Sequence, residues 1–145
     1  MVEIEKLEEI LGKTIGLEIA AQKAVEELGS RGLLDENGML AQLQKMQAQA
    51  QKHQLKLQNI VKDSLEFRGT KLVASTKIPL VAQETAQKCS SMMQTYLGED
   101  PDSSEAIEFL CLAEGGEVMH YEVLTAISKK ASNKKLSTTV NSILR

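Results

Sequence analysis

Four stretches of this 145-residue chain repeat apolar residues at alternating four- and three-residue spacing for about five turns or more. Its two prolines, Pro79 and Pro101, fall only where a helix can begin. That rhythm restricts the chain to long helices, each with one stripe to bury, and four such helices make a bundle. The expected inward residues of the first helix are Ile4, Leu7, Leu11, Thr14, Glu18, Ala21, Val25 and Leu28. Those of the second are Met39, Leu43, Met46, Ala50, His53, Leu57 and Ile60, in a helix read as running to Phe67. Ile78, Val81, Thr85, Cys89, Met92 and Tyr96 line the third, which Thr76 caps. Ala106, Leu110, Ala113, Glu117, His120, Leu124 and Ile127 line the fourth, which the pair Asp100-Pro101 starts. Gly29 to Gly38 and the run from Arg68 to Lys77 are the main connections. A short last helix falls near Asn133 to Arg145.

With 42% apolar residues the chain suits one all-α domain spanning residues 1–145. No run approaches the roughly 18 apolar residues that cross a bilayer. The acidic, amphipathic N-terminus is unlike a secretory signal. These features predict a soluble, cytoplasmic protein without membrane partners. A net charge of -3, no basic cluster and few aromatic residues argue against nucleic acid. Cys89 and Cys111, nearly equidistant from the last turn, are expected to be small buried hydrophobes that face one another, a redox pair being the lesser alternative.

The stripes are interrupted at their centres by Glu18, His53, Glu117 and His120, while Glu84 lies at the edge of the third. Charged groups are kept out of cores unless paired or ligated. The spacing Glu117-x-x-His120 places both side chains on one face of one helix. In an antiparallel hairpin, residues equidistant from the turn meet. Glu18 and His53 are so placed about the first connection, as Glu84 is with Glu117 and His120 about the turn at Asp100. Each half of the chain therefore brings a Glu and a His to one height. Gly115 and Gly116 directly precede Glu117, and Gly12 and Gly16 precede Glu18; such glycines mark a close helix approach, a π-bulge or a poorly formed turn.

With Glu18 in GLEIAAQKAVEEL, His53 in AQKHQLKLQNI and the triplet His120-Tyr121-Glu122, the chain resembles the ferritin-like superfamily. More narrowly it resembles the YciE/YciF-like stress-associated branch. That resemblance implies a ferritin-like four-helix bundle holding iron or manganese, with zinc a further occupant, between Glu18, His53, Glu84, Glu117 and His120. It also implies weak oxidase or peroxidase activity at a mononuclear or dinuclear centre. Ala50 stands where the superfamily has a bridging Glu, three residues before His53, which leaves one ion, a weakly held second ion or none. Glu114 is a candidate substitute, and Tyr121 is read as packing. The alternative is a metal-free bundle for dimerisation or partner binding, in which Glu18, Glu117, His53 and His120 form a buried ion-pair network. A homodimer is expected in either case.

Overall fold

The computed structural model describes residues 2–33, 39–63, 66–67, 70–71, 75–130 and 134–144. Five helices account for nearly all of them: α1 (Val2–Ser30), α2 (Met39–Asp63), α3 (Lys77–Leu97), α4 (Ser103–Lys130) and α5 (Lys134–Leu144). Between α2 and α3 lies a two-residue antiparallel ladder of β1 (Glu66–Phe67) and β2 (Thr70–Lys71), so α2 ends before the Phe67 expected from its rhythm. Residues 34–38 of the first connection and most of the second lie outside the described residues.

The helix boundaries are set by local chemistry. Gly32 takes the left-handed conformation (φ 72°) that closes α1, three residues beyond Gly29, and Leu33 N–H donates to the Leu28 carbonyl. At the start of α3 the expected cap, Thr76, makes no side-chain cap bond; the Ser75 hydroxyl accepts from Ile78 N–H instead at 3.3 Å. Asp102, rather than Asp100, caps α4 by accepting from Glu105 N–H at 2.8 Å.

α1 is the central helix, packed against α2, α3 and α4. Around its N-terminal half Leu7, Ile10, Leu11 and Ile15 meet Leu57 and Ile60 of α2, Ile78 and Ala82 of α3, and Tyr121 and Leu124 of α4. Leu136 and Val140 of α5 close that cluster. Around its C-terminal half Ala24, Val25 and Leu28 meet Leu43, Met93, Leu97, Ala106 and Leu110. The end of α2 and the start of α3 thus share one end of the bundle. The four long helices alternate up, down, up, down, and the second connection reverses direction instead of crossing the bundle. Ferritin-like folds carry one long crossover, so the chain path departs from the ferritin-like order while the all-α architecture stands.

α1 and α3 run parallel and close together. A Cβ on Gly16 would stand 2.5 Å from the Ala82 carbonyl oxygen and 2.7 Å from Thr85 Cβ; one on Gly12 would stand 2.7 Å from Val81 Cβ. The close seam turns α3 by about one residue from its expected phase. Its buried side chains are Ile78, Ala82, Ala86, Met93 and Leu97, while Met92 and Tyr96 are exposed.

Candidate functional site

Between the two apolar clusters the middle of the bundle is polar. Thr14, Glu18 and Glu117 are buried there, and Gln22 of α1 joins α2 by donating to Gln54 Oε1 at 2.6 Å and accepting at its carbonyl from Gln47 at 3.2 Å. At this level α4 lifts away from its neighbours: residues 111–116 are all exposed, between buried Leu110 and buried Glu117. The gap is a cleft of about 580 Å³, floored by α1, walled by α2 and α3, and roofed by α4. Most of its lining is apolar, including Val25, Met46, Met93, Phe109 and Leu110; Glu18, His53, Glu114, Glu117 and His120 bring the acid and imidazole groups.

Glu18 is fully buried, and neither of its carboxylate oxygens has a hydrogen-bond partner. His53 Nδ1 stands 3.0 Å from Glu18 Oε2, close enough for an ion pair but without the alignment of a hydrogen bond. Burial pushes the Glu18 carboxyl above the usual carboxylate range; His53 offsets part of that rise and the negative charge of Glu114 adds to it. Tyr121 is 3% exposed, its hydroxyl unpartnered, and its ring meets the His53 ring edge-on at 6.4 Å. Burial first, and then the neighbouring Glu18 charge, push the Tyr121 phenol well above its usual value.

Across the cleft, Glu117 is 8% exposed. His120 is half-buried, with Nδ1 2.8 Å from the Gly116 carbonyl oxygen of its own helix. A carbonyl only accepts, so Nδ1 carries the proton and Nε2 has the free lone pair. A backbone carbonyl on the other ring nitrogen is the usual support of a ligating histidine.

Four of the five sequence-predicted ligands therefore border one cleft. Glu84 does not: it is exposed, two residues before buried Ala86 and so about 200° round α3 from it. The seam through Gly12 and Gly16 fixed that rotation. Of the four, only Glu18 and His53 are in contact. Among the described residues no three His, Cys, Asp or Glu side chains are placed to hold one metal ion together. Cys89 borders the cleft, where burial raises its thiol pKa, whereas Cys111 is exposed, so the expected facing of two buried cysteines is not found. Tyr121 takes the inward position expected of His120; the four-three-four series Glu117, Tyr121, Leu124, Ser128 was the signal in the sequence.

No described helix is long and apolar enough to cross a membrane. Compared with known proteins, the chain matches no family model, no curated protein and no solved structure. The ferritin-like resemblance rests on the residue motifs alone.

Proposed function

We propose that the protein binds a single divalent cation in the central cleft. Glu18 and His53 would hold it from the floor, and Glu117 and His120 from α4, with Glu114 adding negative charge. The observation that carries this reading is the fully buried Glu18 carboxylate with two orphaned oxygens facing a cleft bordered by further carboxylates and imidazoles. A buried acid whose nearest partner is a single imidazole out of hydrogen-bond alignment is costly, and a cation reduces that cost. Carboxylate and imidazole donors suit iron or manganese, and zinc also occupies such sites. When bound, the ion supplies positive charge that keeps Glu18 ionised. The donor set fits one ion in its chemistry; in its distances only the Glu18–His53 half is assembled.

The ferritin-like resemblance extends this reading to oxidase or peroxidase chemistry in a stress response. With Ala50 lacking a bridging carboxylate and Glu84 outside the cleft, the reading favoured here is binding by one ion without dinuclear turnover. A second reading is favoured by the Glu18–His53 contact together with the lack of a third ligand in reach among the described residues: a metal-free bundle in which the pair is structural.

Metal titration of chelator-treated protein, followed by elemental analysis after desalting, separates the two. The expected result is one manganese, iron or zinc ion per chain. Glu18→Gln and His53→Ala should weaken binding at least as much as loss of an outer-shell partner does, roughly 10–100-fold. Glu84→Gln should leave it unchanged. Absence of stoichiometric metal with all three ions overturns the proposal and leaves the structural pair.

A further inference from the structure

The cleft is far larger than an ion needs. A cation held at the roughly 2 Å of carboxylate or imidazole ligation fills one corner of it. A volume of about 580 Å³ is instead what an organic molecule of drug-like size occupies. The space is written into the sequence: each long helix contributes an alanine to it, Ala21, Ala50, Ala86 and Ala113. Ala113 stands at a core position of the α4 stripe, between buried Leu110 and buried Glu117, and is exposed because it faces this space.

The two ends of the cleft differ. Val25, Met93 and Leu110 belong to the second apolar cluster, Met46 and Phe109 pack against it, and all five line one end. Glu18 stands two turns before Val25, roughly 10 Å along α1, and His53, Glu117 and His120 border the cleft with it. The charges are graded by depth. Glu18 and Glu117 are buried, whereas Lys23 and Lys88 are exposed at the rim and Lys13 is paired with Glu9 at 2.9 Å. Glu27, also on the lining, accepts from Gln94 at 2.6 Å. The charged groups that act on Glu18 are His53 and the exposed Glu114. An anion entering at this depth meets Glu18, Glu114 and Glu117. An ammonium group instead donates to carboxylate oxygens, which only accept, and both oxygens of Glu18 are without a hydrogen-bond donor.

We propose that the cleft binds an organic amine with a hydrocarbon body, the body lying among Val25, Met46, Met93, Phe109 and Leu110 and the ammonium group pairing with Glu18 and Glu117. The ligand takes the place of the core side chains that the four alanines leave out. Burial of its body supplies affinity, and the two buried acids select the sign of its charge. This inference does not rest on a metal ion. An ion and an ammonium group both need the Glu18 carboxylate, so each excludes the other.

Isothermal titration calorimetry on the chelator-treated full chain, with octylammonium, butylammonium, octanol and octanoate as probes, is the test. Octylammonium is expected to saturate at one per chain. It should bind at least about tenfold more tightly than butylammonium, since each buried methylene is worth about fourfold. Octanol, which lacks the charge, should bind at least about tenfold more weakly than octylammonium, and octanoate should not bind. Ala113→Leu fills the cleft from an exposed position, and Glu18→Gln removes the buried charge. Each should weaken octylammonium at least about tenfold while the helical circular dichroism stays that of the wild type. Octanoate bound as tightly as octylammonium, uptake of octylammonium without saturation, or wild-type affinity in both variants overturns the proposal. Affinity lost in only one variant also overturns it, because body and ammonium group would then not share this cleft. The ion titration is a separate measurement, so either reading fails without the other.

Discussion

Glu18 concentrates the chemistry of this protein in one side chain. Its carboxyl is raised by burial above the usual carboxylate range, so in the metal-free protein the folded state binds a proton more tightly than the unfolded state. The sign follows. The stability linked to Glu18 is fully present below the unfolded value and is lost as pH rises through the folded one. Urea unfolding of chelator-treated protein should therefore show Glu18→Gln gaining on the wild type as pH rises from the carboxylate range towards neutrality. Replacement of a buried charge that His53 compensates only in part by a neutral amide should place the variant about 1–3 kcal/mol ahead at the upper end. Equal pH slopes for the two proteins would show that Glu18 is not desolvated. Cation binding reverses the balance, since it requires the ionised form, so affinity should strengthen with pH over the same window.

Among the helices, α1 and α3 form the tightest seam, because Gly12 and Gly16 present no side chain to Val81, Ala82 and Thr85. Gly16→Ala should destabilise by about 1–3 kcal/mol despite alanine's better helix propensity, since the new Cβ meets a backbone carbonyl that cannot swing aside. Chemical denaturation measures it, and a neutral or stabilising result would mean that the two helices separate readily. The same seam explains why Glu84 fails as a ligand: the rotation that buries Ala82 and Ala86 carries Glu84 to solvent.

At the scale of the whole molecule, two apolar clusters are separated by a polar middle, and they are closed differently. The cluster at the N-terminal end of α1 is completed by α5, whose Leu136 and Val140 are fully buried among residues of the long helices. Burial of a leucine of this kind contributes roughly 1.5–3 kcal/mol. Leu136→Ala should cost about 2–5 kcal/mol, read as a lower denaturant midpoint at an unchanged slope. A change below about 0.5 kcal/mol would mark α5 as an appendage rather than part of the core. The division into clusters also places the cleft: α4 is anchored by Leu110 at one end and Tyr121 and Leu124 at the other, and spans the gap between them.

The helices, their approximate ends and the inward faces of α1 and α2 follow from the sequence, because apolar periodicity reports which face of a helix must leave water. The level of Glu18 with His53 follows too, since a hairpin fixes height by counting from its turn. Rotation is another matter. That Tyr121 rather than His120 turns inward, that Glu84 turns out, and that Asp102 and Ser75 cap their helices depend on how close two backbones come, which glycines decide only once a partner helix is placed. The chain path is also tertiary: the thirteen residues between α2 and α3 are long enough to cross the bundle or to turn back, and only the packing of Ile60 near Ile78 decides for the turn.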